Sequence, residues 1–101
     1  MSVEHKKYFE AIKCGEMKDL KVMLLVDPTL LSALDSMLMN GLHVAILRKQ
    51  CLIIQLLIDK GIDVYHLDMA GRSPLHLANE QEPTFTINKI KSMLNDVLKD
   101  K

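Results

Sequence analysis

The stretch Gly71-Arg72-Ser73-Pro74-Leu75-His76-Leu77-Ala78 decides the fold. Ser73 before Pro74 reads as a helix start. The serine hydroxyl can accept a bond from an unpaired first-turn amide, and proline brings a helical φ to a position whose N–H has no partner. Gly71 marks a tight turn just upstream. Asp68-Met69-Ala70-Gly71 therefore reads as a turn that delivers the chain into a short helix. The same design recurs in weaker form 33 residues earlier, with Asp35 under Asp68, Leu42-His43 under Leu75-His76, and Ala45 under Ala78. A recurrence at such a period points to stacked repeats.

These residues carry a resemblance. Ser73-Pro74-Leu75-His76-Leu77-Ala78 is similar to the T-P-L-H-x-A signature of ankyrin repeats, and Asn40-Gly41-Leu42-His43-Val44-Ala45 resembles it more loosely. Leu56-Leu57-Ile58-Asp59-Lys60-Gly61-Ile62-Asp63-Val64 is similar to the L-L-L-x-x-G-A-D-V ending of the repeat. The resemblance implies an all-α solenoid of stacked helix-turn-helix units forming a single domain over residues 1–101. Its parts would be an N-terminal capping repeat at 4–34, a central repeat at 35–67, and a C-terminal capping repeat at 68–101 with an extended last helix. His43 and His76 take the signature position, where the family's imidazole ties neighbouring turns together through backbone and hydroxyl groups. Asp35 and Asp68 open the turns, and their carboxylates are expected to bond local amides.

The second unit departs from the family pattern at three places: Leu38 replaces the turn glycine, Gly41 the proline, and Lys49 the glycine between helices. Leucine does not take a positive φ cheaply, so this turn is expected to be distorted or less tightly hydrogen-bonded than the next. Gly41 is expected to loosen the helix start.

Composition fits a small helical domain. Of 101 residues, 49% are hydrophobic and only 4% aromatic, so the core is aliphatic, with seven Met available to it. Formal net charge is zero and the sequence pI is about 6.9, which removes the electrostatic reason to propose a nucleic-acid or anionic-membrane partner. No apolar run reaches the roughly 18 residues of a membrane helix, and Met1-Ser2-Val3-Glu4-His5-Lys6-Lys7 lacks a signal-peptide core. Cys14 and Cys51 do not make a disulfide framework and read as buried thiols in a reducing compartment. The expected address is the cytoplasm, of the protein's own cell or of a host.

Apolar spacing predicts helices over 4–13 and 17–26, then about 41–48 and 52–60, and a final helix capped by Thr84 or Thr86. The pairs fall near 4–26, 41–60 and 74–99. Asp27-Pro28 ends the second helix, because the residue before proline is pushed out of the α region. Lys6, Lys7, Glu10 and Lys13 read as the solvated face of a shielding first unit.

No residues suggest an enzyme. No phosphate loop, nucleophile elbow or paired-carboxylate site is present. Neither Cys-x-x-Cys nor His-x-x-x-His spacing occurs, so neither a metal nor another cofactor is expected. Cys51 beside Leu52-Ile53-Ile54 reads as a core thiol rather than a reactive one.

The anomaly is apolar residues where turns are usually polar. By resemblance, the variable positions that contact partners are Ser36, Met37 and Met39, then Met69, Ala70 and Arg72. On the concave side of the short helices they are Leu47 and Arg48, then Glu80 and Gln81. Met37, Leu38, Met39, Leu47 and Met69 are expected to form an exposed apolar strip edged by Arg48 and Arg72, suited to a protein partner. The competing reading buries Leu38 and one methionine. The function implied is a non-enzymatic protein-interaction module, with a self-associating subunit, a weak homodimer, as the alternative. A regulator in its own cell and a bacterial or viral protein delivered into a host are both compatible with the family.

Overall fold

The computed structural model describes residues 2–99; Met1, Asp100 and Lys101, the outer ends of the expected domain, lie outside the described residues. Six α-helices follow one another among those residues: α1 (Val3–Cys14), α2 (Met17–Val26), α3 (Gly41–Leu47), α4 (Cys51–Asp59), α5 (Pro74–Glu80) and α6 (Phe85–Lys99). A 3-10 turn, Pro28–Ser32, follows α2 and was not foreseen. It forms because the Asp27 carboxylate accepts the Thr29 N–H and Pro28 supplies a helical φ, and it buries Leu30.

The helices pack as consecutive pairs, α1 with α2, α3 with α4 and α5 with α6. The pairs then stack, α1 on α3, α3 on α5 and α4 on α6. The fold is therefore all-α. The core is aliphatic: Ile12, Leu20, Leu42, Ile46, Ile53, Ile54, Leu57, Leu77, Ile87, Ile90 and Leu94 are all buried. Both Cα–Cβ direction and apolar spacing put these residues on inward faces.

Three helix ends use one geometry. At each, two successive amides reach back to carbonyls three and five residues earlier: Gly15 and Glu16 after α1, Lys49 and Gln50 after α3, Gly61 and Ile62 after α4. The first residue of each pair is left-handed, with φ of 73° at Gly15, 56° at Lys49 and 88° at Gly61. This is the glycine-favoring C-terminal cap. Lys49 takes it without being glycine.

Two expectations for the second unit are corrected. The turn at Asp35 is not distorted. Asp35 Oδ1 accepts the N–H groups of Met37 (2.9 Å) and Met39 (3.0 Å), as Asp68 Oδ1 accepts those of Ala70 and Arg72 at 2.9 Å each. The backbone bonds also match, Asp35 N–H to Met39 and Leu38 N–H to Asp35, against Asp68 to Arg72 and Gly71 to Asp68. Leu38 reaches this geometry by adopting φ 59°, the conformation that Gly71 holds at 77°.

Nor is Gly41 a loose start. It is buried, and a Cβ there would run into the Tyr8 hydroxyl and meet Ile12 Cδ1 at 3.0 Å. Asn40 caps α3 through its side chain, which accepts the His43 N–H. The absent side chain lets α3 lie close against α1.

The expectation for the leading helix, α1, holds. Lys6, Lys7, Glu10 and Lys13 are exposed as expected of a shielding face. The outward side of α2 is apolar instead, with Val22, Leu25 and Val26 exposed.

The Tyr8 hydroxyl is buried and finds no hydrogen-bond partner among the described residues, and burial pushes its pKa up. Gly41→Ala is expected to cost about 1–3 kcal/mol by overpacking against it. Tyr8→Phe removes an unsatisfied polar group and should be neutral or stabilise by about 1 kcal/mol. Urea unfolding of both variants and of the double variant checks this; the Gly41→Ala cost should shrink once the hydroxyl is gone.

Candidate protein-binding site

The two aspartate turns project side by side, and their tips are bonded to each other. The Met69 N–H donates to the Met37 carbonyl at 2.8 Å. His66 Nε2 donates to the Leu38 carbonyl at 2.7 Å, which sets the segment around residues 65–67 beside the Leu38 turn. Met37, Leu38 and Met69 are exposed, and so are Tyr65 and Leu67. The two bonded tips thus expose Met37, Leu38 and Met69, and the segment that His66 ties to the Leu38 turn exposes Tyr65 and Leu67. Tyr65 and Leu67 were missed in the sequence. Their signal was available, two large apolar residues at alternate positions in a connecting segment.

The remaining expected contact residues divide. Ser36 and Ala70 are exposed on the turns. Met39 is buried, at 6% exposure, and so leaves the strip for the core. It occupies the position that Arg72 holds one period later, tucked under the turn. The competing reading was thus half right: one methionine is buried, and Leu38 is 45% exposed. Leu47 and Arg48 are exposed but sit at the far end of α3, roughly 9 Å along the axis from Gly41. They do not adjoin the tips.

Arg72 is already engaged. Its Nε lies 3.0 Å from Asp68 Oδ2 and its Nη1 2.9 Å from Glu80 Oε1. The side chain is half-buried and links the third turn to the end of α5. Pairing Arg72 with partner carboxylates would have to displace these bonds. Glu80 also meets His76 Nε2 at 3.2 Å, and the Gln81 amide donates to the Leu77 carbonyl. Burial tends to raise the Asp68 pKa, but the Arg72 and Ala70 N–H groups and the Arg72 side chain hold it below the usual carboxylate value.

The two signature histidines behave differently. His43 is fully buried. Its Nε2 donates to the Arg72 carbonyl at 2.8 Å, and Nδ1 lies 3.0 Å from Asn40 Oδ1. The Asn40 amide donates in turn to the Asp63 carbonyl. His76 ties nothing to a neighbouring turn. It is exposed, and among the described residues its imidazole meets Glu80 on its own helix.

Among the described residues no three His, Cys, Asp or Glu side chains gather to hold a metal ion, and no helix is long and apolar enough to cross a membrane. Cys14 is not the buried thiol expected: it is exposed as the last residue of α1, while Cys51 packs partly against the core. Compared with known proteins, the chain matches no family model and no curated protein.

Burial lowers the His43 pKa from 6.5, against the Arg72 carbonyl and the Asp68 charge, which raise it. In the window just below 6.5 the unfolded chain binds the proton and the folded chain does not. Stability from this site is therefore complete above that value and falls as the pH drops through the window. Thermal unfolding followed from neutral to mildly acid pH should show a falling midpoint. His43→Gln should flatten that slope, at the cost of a lower midpoint at neutral pH.

Proposed function

We propose that the chain is a short ankyrin-type solenoid of three units that captures a protein partner through its turn tips, without catalysis. Two features support the solenoid reading: the matching bonds of the two aspartate turns, and the His43 bridge between consecutive units. The observation that carries the binding reading is Leu38. It sits at φ 59° and is 45% exposed, where glycine would relieve both the backbone and the apolar side chain. A non-glycine residue held left-handed costs roughly 1–2 kcal/mol, and nearly half of this large apolar residue is left in water in the isolated chain. Strain of this kind in an exposed turn points to a functional demand on the side chain.

In this reading Met37, Leu38 and Met69 receive apolar side chains of the partner. The flexible methionines adapt to them, and Tyr65 and Leu67 extend the contact. Arg72 acts as a brace for the turn rather than as a contact.

Leu38→Gly should leave stability unchanged or raise it by up to about 1 kcal/mol, since relief of the left-handed leucine is partly offset by glycine's unfolded-state entropy. Combined with Met37→Ser and Met69→Ser, it should lower partner capture at least about tenfold, a loss of roughly 1.4 kcal/mol. Affinity capture from lysate, with circular dichroism on both proteins, checks this. Undiminished capture by the folded triple variant would place the contact on another face.

A further inference from the structure

Two imidazoles meet where the turns are joined. The rings of His43 and His66 pack edge to face, with centroids 5.9 Å apart and planes at 84°. Each is bonded to a different turn. His43 Nε2 donates to the carbonyl of Arg72 in the third unit at 2.8 Å, and His66 Nε2 donates to that of Leu38 in the second at 2.7 Å. The pair therefore couples the turns a second time, beside the direct bond from the Met69 N–H to the Met37 carbonyl. The two rings are held unequally. His43 belongs to α3 and is fully buried, with Asn40 Oδ1 3.0 Å from its Nδ1. His66 is half-buried on the connection between α4 and α5, and with Asn40 and Asp63 it lines an open groove of about 260 Å³.

Burial opposes a charge on His43, and a charge on His66 opposes it further. Moving the His66 ring away removes the like charge and part of the burial together. The other charges at the pair are Asp68 and Arg72, which act on His43 with opposite signs and lie 3.0 Å apart, and Asp63 in the groove beside His66. Asp68 and Arg72 stay with their turn when the ring leaves. His43 therefore binds a proton more tightly once His66 has left, and protons in turn favour that departed state. With His66 in place, His43 takes its proton only below its ordinary 6.5. The closed arrangement is thus fully favoured above that value and loses ground as the pH falls below it.

We propose that His43 and His66 form an acid-sensitive latch on the turn tips, in which a proton taken up at His43 Nδ1 drives His66 off the Leu38 carbonyl and loosens the segment carrying Tyr65 and Leu67. The new N–H points at Asn40 Oδ1, whose amide is already oriented by the His43 N–H and the Asp63 carbonyl, while Nε2 stays on the Arg72 carbonyl. His43 is thereby held in place, and the ring on the connection is the one that moves. As regulation of capture, the latch rests on the turn tips being the contact site: mild acid then takes Tyr65 and Leu67 away from a bound partner.

NMR titration of the full chain from about pH 8 to about pH 5, following the imidazole signals and the Leu38 carbonyl carbon, tests it. In the wild type the Leu38 carbonyl signal should shift as His43 takes up its proton, while the helical circular-dichroism signal stays unchanged. His43→Gln keeps a side-chain N–H for the Arg72 carbonyl but takes no proton, and the Leu38 shift across that interval should be lost. His66→Gln keeps a donor for Leu38 without the charge, and His43 should then titrate at higher pH. A Leu38 signal that stays constant while His43 titrates overturns the proposal, as does a shift that arrives only with loss of the helical signal. So does a shift undiminished in His43→Gln, which makes it a response to the proton on His66 itself, or a His43 titration unmoved by His66→Gln. None of these readouts uses a partner, so the latch stands or falls separately from the capture reading, which the triple variant of Met37, Leu38 and Met69 tests.

Discussion

The imidazole of His43 sits where the second and third helix pairs meet, and their register depends on it. It reaches the Arg72 carbonyl across 29 residues of sequence, while Asn40 beside it caps α3 and donates to the Asp63 carbonyl. One buried polar chain thus joins the start of α3, the segment after α4 and the turn before α5. The Arg72 carbonyl accepts the Asp68 N–H as well, so the imidazole ties the second helix pair to a turn that is already hydrogen-bonded. Asn40 stands where the third unit has Ser73. Either residue can cap a helix, but only the longer amide also carries a donor out to the neighbouring segment. Ser73 makes the cap alone, and His76 turns outward to Glu80.

The aspartate turns show why so much of the fold could be read from the chain. An aspartate that accepts two amides within the next four residues is a local device, complete within its own sequence window. So are the Ser73-Pro74 helix start, the Thr84 cap, which accepts the Ile87 N–H, and the left-handed glycines after α1 and α4. Helix positions followed from the same short-range information. What escaped was non-local. Gly41 looks like a weak residue until Tyr8, 33 positions earlier, is placed against it. Met39 resembles its exposed neighbours Met37 and Leu38 in sequence and differs only in lying beneath the turn. The site was legible in outline, at Met37 and Met69, but its company of Tyr65 and Leu67 depends on the His66 bond that sets residues 65–67 beside Leu38.

Leu38 and Lys49 both hold a conformation that sterics disfavor for any residue with a Cβ. Tertiary structure overrides that preference when the surrounding hydrogen bonds fix the backbone more strongly than the strain opposes it. At both positions the bonds are those made at the glycine counterparts, Gly71 and Gly15. The two residues then part. A lysine in that position keeps its charge in water, and the strain is its only cost. The leucine adds exposed apolar surface to the same strain, and glycine one period later shows that the turn itself does not require it.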